Sequence, residues 1–344
     1  MKIRIFTLTL ILALGLYFLK STHPLGLLEL KGSVFGTLYS VKFVAPAELR
    51  EKVARRCDEL FADYNTKISN WKTESWIRTF NRENAGQWEA LPESCAEVFS
   101  VCKRLSTASD GAFDITLSPI LDLWGFAGEG PKRVPEESEI KALLDIIGND
   151  KWDYRSSPVP AIKKLSTEVE LNPNAVAKGR GVDLVCEMLK SEFHLEDFLV
   201  DIGGEVRSSG HPPGRPCWII GIQRPVRESL LPLPDHRVEL SSLAMATSGD
   251  YQNFFESGGK LYCHIINPRT GRPVGHALAS VSILAPTCAL ADGLATTCLV
   301  LGREKSLALL ADFPGCEALF MERSAEGNFE VSMTDGFQAR LISD

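Results

Sequence analysis

The chain has no surplus of basic residues: 37 Lys and Arg stand against 44 Asp and Glu in 344 residues, for a formal net charge of −7. General nucleic-acid binding needs cations to displace counterions from phosphates, so this balance argues against it. Cys/His spacing of the zinc type is missing, and so is any visible internal repeat, which removes zinc modules and solenoids from consideration. No stretch has the composition of a free linker, and the 44% hydrophobic, 24% charged composition is that of an ordinary globular protein. A chain of this length can bury a sizeable core in one large body.

One apolar run stands out, and it lies at the N-terminus. Lys2 and Arg4 precede an uncharged run from Ile5 to Leu19, followed by "KSTHPLG". A basic start before such a run is the export pattern. As a helix the run reaches about 22 Å, short of the roughly 30 Å bilayer core; Tyr17, Phe18 and Lys20 extend its far end to an interface. No A-x-A-like cleavage site follows, and no cysteine stands close enough for lipid attachment. Residues 1–22 are therefore set apart as a signal peptide or membrane anchor, with anchoring through residues 5–19, and a periplasmic location is expected. Nine cysteines would suit disulfides in an exported protein. Their number is odd, however, and Cys186 in "VDLVCEML" and Cys298 in "ATTCLVL" read as small core residues.

Further along, "GSVFGTLYSVKFV" suits a first strand. Residues 47–64 carry apolar side chains at helical spacing, and a second helix follows "LPES" with Ser94 as its N-cap. Residues 128–139 read as a polar loop leading into a helix. Another helix is expected from about Ala177 to Phe193. "FLVDIGGEVRSSG" and "CWIIGIQRPV" read as two strands joined by a Gly/Pro-rich turn. "LSSLAMATSGDY", "KLYCHIINPRTGRPV" and "ASVSILAP" are strand-like. A helix over "ALADGLATT" follows, and "ALFMER" with "FEVSMTD" closes the chain as a strand pair. Without strict β-α-β alternation this order predicts an α+β, mixed-sheet architecture, one compact body of two lobes, rather than a doubly wound parallel sheet.

Four stretches carry chemistry. "SDGAFDITLSPILDLWGF" (109–126) sets aromatics and glycines beside polar groups, which suits either a flat ring against a pocket wall or a turn into a buried aromatic cluster. "LNPNAVAKGRGVD" (171–183) places Lys178 and Gly179 at a helix start, an anion site or an ordinary loop-to-helix junction. "CHIINPRTGRP" (263–273) holds His264 before a turn flanked by Arg269 and Arg272. In "ALADGLATT" (289–297), Asp292 and Thr296 share one helix face. A buried carboxylate needs a partner; the hard oxygens suit Mg²⁺ or Ca²⁺ over zinc, while capping of nearby backbone amides satisfies Asp292 equally well.

Taken together, with "FGTLY" near residue 35, "SNWKTESWIRTFN" (69–81), "DIGGEVRSSG" and "ATSGDY" in the same order, these stretches resemble the ApbE-type FAD:protein FMN transferases over nearly the whole chain. The resemblance implies a two-lobed, T-fold-like domain over residues 30–344 with FAD bound between the lobes. It also implies Mg²⁺ at the FAD pyrophosphate, FMN transfer to a Ser or Thr hydroxyl of an exported or membrane flavoprotein subunit, and release of AMP. By match to the family motifs, the metal ligands would be the Ala175 backbone oxygen, Asp292 and Thr296. The flavin pocket would draw on Phe35, Trp71, Ala112, Phe113, Asp114, Asn172, Lys178 and Ile266, and His264 would be the base.

The chain departs from the family pattern in three places. Phe35 stands where Met is usual, Asn172 often where Asp is found, and Asn267 where Asp is commoner. Two other activities are carried alongside the transferase: Mg²⁺-dependent hydrolysis of FAD to FMN and AMP, and non-enzymatic flavin binding or assembly.

Overall fold

Phe35 and Gly36 turn the first apolar run back on itself. In the computed structural model, which describes residues 24–83, 85–127, 130–226, 234–251 and 253–342, strands β1 (Gly26–Val34) and β2 (Thr37–Ala45) pair antiparallel around them. Both turn residues have positive φ, 51° and 76°, the hairpin geometry that matches strand twist. Gly36 adopts it freely, whereas a side chain at positive φ costs roughly 1–2 kcal/mol. The single first strand expected from the sequence is thus a hairpin, hidden because an aromatic residue occupies a turn position that Asn or Asp usually marks.

"FLVDIGGEVRSSG" differs in the same way. It forms β3 (Phe198–Ile202) and β4 (Glu205–Ser209) around Gly203 and Gly204, whose φ values are 69° and 101°. Residues 218–223 do not pair with it; they pair with residues 234–240 in a separate hairpin. Trp218, Ile222, Val238 and Leu240 of that hairpin pack with Leu199, Val206 and Met245 on the outer face of the main sheet. Strands β5 (Ala244–Gly249), β6 (Leu278–Ala285), β7 (Glu317–Arg323) and β8 (Phe329–Met333) complete an eight-stranded sheet. The strands lie side by side in chain order and every pair is antiparallel.

Side chains alternate across this sheet. Val41, Phe43, Val200, Ile202, Ala246, Val281 and Ile283 face the main core, where the helices pack. Helix α1 (Arg50–Ile68) buries Val53, Cys57, Phe61, Tyr64 and Ile68, one stripe at helical spacing. Helix α2 (Trp76–Arg82) starts at Ser75, whose hydroxyl accepts the Arg78 N–H. Helix α3 (Glu93–Ala108) has Pro92 at its N-cap; Ser94, expected there, lies in the first turn. Helices α4 (Ser118–Trp124) and α5 (Glu137–Leu144) follow, α5 opening on a Glu136/Glu139 capping box; of the loop expected at 128–139, residues 128 and 129 lie outside the described ones. Helix α6 spans Asn174–Ser191, α7 Cys288–Leu301, α8 Arg303–Leu310 and α9 Asp335–Gln338. The mixed α+β expectation is met, in the form of one antiparallel sheet with α1, α3, α6 and α7 gathered on one face, while Phe337 of α9 packs on the outer face and α4 and α5 build a separate cluster.

A smaller satellite core holds Ile120, Trp124, Ile140, Ile147 and Ile266. The Trp124 indole N–H donates to the Gly271 carbonyl at 2.8 Å and ties that cluster to the loop after His264. All nine cysteines are buried free thiols, and burial pushes Cys57 to about 12 and Cys95 to about 11, so they behave as core residues. Among the described residues no helix is long and apolar enough to cross a membrane. The segment read as signal or anchor, residues 1–22, lies outside them.

Candidate functional site

In an antiparallel sheet whose strands run in chain order, every second connection falls at the same end. The turn at Phe35–Gly36, the turn at Gly203–Gly204 and the long connection between β5 and β6 that carries His264 therefore share one end. Helices α6 and α7 pack on the core face of this sheet.

These two helices meet unusually closely. A Cβ at Gly179 would stand 2.3 Å from the Cys288 carbonyl oxygen, so only glycine allows the approach. The Gly179 N–H donates to Asp292 Oδ2 at 3.0 Å. Further along α6, the Asp183 carboxylate accepts the Cys288 and Ala289 N–H groups at 2.9 and 2.8 Å, and Arg207 pairs with it at 2.6 Å. Asp183 thereby caps α7 from a neighbouring helix, satisfying two N–H groups that have no partner inside their own helix. Lys178 and Gly179, expected at a helix start, lie in the second turn, because α6 begins at Asn174.

Around Lys178 two carboxyl groups face one ammonium. Its Nζ lies 3.2 Å from Glu205 Oε1 and 3.8 Å from Asp292 Oδ1. Glu205 is 5% exposed and Asp292 3%, and among the described residues Glu205 Oε2 has no hydrogen-bond partner. Burial would strip Lys178 of its proton, but Asp292 and Glu205 outweigh it and hold the ammonium charged. Burial raises both carboxyls, against the pull of Lys178. Two buried carboxylates thus share one ammonium, with one oxygen left over.

One turn beyond Asp292, the Thr296 hydroxyl is 3.2 Å from the Ser248 hydroxyl on β5. Among the described residues, no three or more His, Cys, Asp or Glu gather to hold a metal. The candidate set is instead a carboxylate, a hydroxyl and a main-chain carbonyl. That set of hard oxygens, close to a buried Glu205 oxygen with no hydrogen-bond partner among the described residues, fits Mg²⁺.

Phe35, Trp71 and Lys178, all expected at a flavin pocket, line one cavity of about 180 Å³ together with Tyr64, Ser69, Asn174 and Ala177. The Phe35 ring meets Phe61 and Tyr64 edge-on, with centroids 5.9 and 5.7 Å apart. The Tyr64 hydroxyl donates to the Ala177 carbonyl at 3.0 Å. Trp71 is 72% exposed, an indole standing at the mouth.

The remaining expected pocket residues are placed differently. Ala112 and Phe113 are buried in the main core and Ile266 in the satellite core. Asp114 Oδ1 accepts from both the N–H and the hydroxyl of Thr116, at 2.8 and 2.7 Å, and burial raises its carboxyl. Asn172 uses both ends of its amide: Nδ2 donates to Ser118 at 3.0 Å and Oδ1 accepts the Asn174 N–H at 3.2 Å. The amide at this position thus links the 115–118 segment to the start of α6. Asn267 Oδ1 accepts the Arg269 N–H at 2.9 Å and shapes the turn after it, a task that needs no charge.

His264 occupies a bend between two short strands rather than a strand. Its N–H donates to the Asn253 carbonyl at 3.0 Å, and its Nδ1 lies 3.1 Å from the same oxygen. A carbonyl only accepts, so Nδ1 carries the proton and Nε2 is the basic nitrogen. Burial holds the imidazole below its ordinary value, against the Asn253 hydrogen bond and the Asp250 charge, and Lys132 adds to the lowering. The ring is neutral near neutral pH.

Glu205, Tyr64, Ser248 and Asn253 escaped the sequence. The paired glycines of "DIGGEV" are the one feature that could have marked a turn there, and nothing beside them says that the acid after it faces inward.

The ApbE family model matches residues 35–320. The chain is 33% identical over 287 residues to a Haemophilus influenzae protein, covering 81% of this chain and 82% of that one. It is 35% identical over 308 residues to a Treponema pallidum protein, covering 84% and 82%. Both relatives are named FAD:protein FMN transferase. The fold matches the solved flavin transferase ApbE from Vibrio cholerae with a TM-score of 0.82 at 29% identity, covering 92% of this chain and 100% of that one.

Proposed function

Because the chain belongs to the ApbE family, we propose that it transfers FMN from FAD to a Ser or Thr hydroxyl of a flavoprotein subunit, with Mg²⁺ as cofactor and AMP as leaving group. The observation that carries this reading is the half-buried Lys178 between the buried Asp292 and Glu205, with its leftover carboxyl oxygen, beside the cavity lined by Phe35 and Trp71.

Phosphoryl transfer asks a protein mainly for positioning and charge neutralisation. Mg²⁺, held by the Ala175 carbonyl oxygen, Asp292 and Thr296, would neutralise charge on the pyrophosphate. The Lys178 ammonium, kept charged by its two carboxylates, stabilises negative charge on the phosphates. The acceptor oxygen attacks the flavin-side phosphorus, the bond from that phosphorus to the bridging oxygen breaks, and the electron pair leaves with AMP. Nε2 of His264 takes the hydroxyl proton. The Phe35 ring and the Trp71 indole offer flat apolar surface to the flavin.

The basic start and apolar run at residues 2–19 support export, so the acceptor is a periplasmic or membrane subunit. The test follows AMP production from FAD and Mg²⁺ with and without such a subunit. Acceptor-dependent AMP is expected. AMP at the same rate without acceptor means hydrolysis, and FAD that binds but stays intact means a flavin-binding protein.

A further inference from the structure

We propose that Lys132 and Asn253 form a strap between the two cores that sets the ring of His264, with Lys132 as a positioning residue acting through Asn253. The inference rests on the reading of His264 as the base.

Asn253 is the hub of this strap. Its main-chain carbonyl accepts both the His264 N–H and Nδ1–H, at 3.0 and 3.1 Å. Its side-chain Oδ1 accepts from Lys132 Nζ at 2.7 Å, and the same ammonium donates to the Phe254 carbonyl at 3.1 Å. Lys132 lies in the stretch before α5, whose Ile140 belongs to the satellite core. His264 lies between Cys263 and Ile265 of the main core. The ammonium therefore grips residues 253 and 254 from the far side. Phe126 closes the arrangement, its ring 6.5 Å from that of His264 and 5.8 Å from Lys132 Nζ.

Two consequences follow for the imidazole. The carbonyl that selects the Nδ1–H tautomer is held in place only while residue 253 is held, so the strap decides which nitrogen is basic. Lys132 also brings a positive charge towards the ring, which favours its neutral form. The opposing charge is Asp250, whose carboxylate is engaged by both Arg323 guanidinium nitrogens at 2.6 Å; among the described residues Lys132 and Asp250 are the charges that act on the ring. Lys132 is exposed, so its replacement leaves both cores intact.

The experiment observes the ring directly. The full chain with ¹⁵N-labelled histidine is titrated by NMR, with His264→Gln supplying the assignment, in the parent, Lys132→Met and Lys132→Arg proteins. The parent should show the Nδ1–H tautomer and a midpoint below 6.5. Lys132→Met should move the midpoint upward at unchanged melting temperature and weaken the tautomer preference, and Lys132→Arg should restore both. An unmoved midpoint and unchanged tautomer in Lys132→Met, or an Nε2–H tautomer in the parent, would overturn the inference. A moved midpoint upholds it, and the pH–rate profile then separates the two readings: if the acid limb of transfer does not follow the midpoint, His264 is not the base although the strap stands.

Discussion

Asp292 has two claimants, the Gly179 N–H and Lys178 within the protein and Mg²⁺ from outside. In the sequence amide capping and metal binding stand level; the structure shows the hydrogen bond from the Gly179 amide directly, while the Glu205 oxygen beside Lys178 has no hydrogen-bond partner among the described residues. Asp292→Ala leaves one carboxylate, Glu205, facing one ammonium, and the Gly179 N–H falls back on its helix carbonyl. The variant should fold with a stability within about 1–2 kcal/mol of the parent. It should lose both turnover and the rise in melting temperature that Mg²⁺ gives the parent through binding to the folded state. Thermal melts with and without Mg²⁺ check this, and a retained Mg²⁺ shift would show that the metal sits elsewhere.

His264 makes a second residue-scale prediction. Its folded value lies below the ordinary 6.5, so the unfolded chain binds the proton first as pH falls. That contribution to stability is intact above about 6.5 and is lost as pH falls toward the folded value. Transfer should hold across pH 7 and decline only below 6.5 as Nε2 takes up a proton. An acid limb centred above 6.5 would contradict this. Glu205 was illegible for a different reason: a lone acid in a strand-like run looks solvent-facing, and only the Gly203–Gly204 turn turns it inward.

The elements that matter most are α6 and α7. Gly179 lets them touch, and Asp183 of α6 caps α7. Gly179→Ala would gain about 1 kcal/mol of helix propensity. It would also drive a Cβ to 2.3 Å from the Cys288 carbonyl, and overpacking against backbone typically costs about 1–3 kcal/mol or more. The net effect should be a lower urea midpoint and weaker FAD binding; an unchanged midpoint would mean that the helices part without cost. Elements with a strong local signal were legible: α1 and α3 from their apolar stripes, α7 from its small apolar run. The hairpins at residues 35 and 203 look like single strands in the sequence, because a turn made of Phe-Gly or Gly-Gly inside an apolar run carries no polar marker. The partner of residues 218–223 lies across a connection whose pairing no local pattern records.

At the scale of the whole molecule, one rule places the site: strands in chain order bring alternate connections to one end. Phe35, Glu205 and the His264 connection are far apart in sequence and come to the same end of the sheet for that reason. The ordered motifs indicated that these segments belong together, but the sheet order that joins them depends on long-range pairing. The central claim is that this arrangement moves FMN, with AMP as its counterpart. Its most direct test is the intact mass of an exported acceptor subunit after incubation with the protein, FAD and Mg²⁺. The account predicts a gain equal to FMN, one AMP released for each flavin attached, and neither product with Asp292→Ala. An acceptor of unchanged mass beside folded parent protein, or AMP released with no flavin attached, would contradict it.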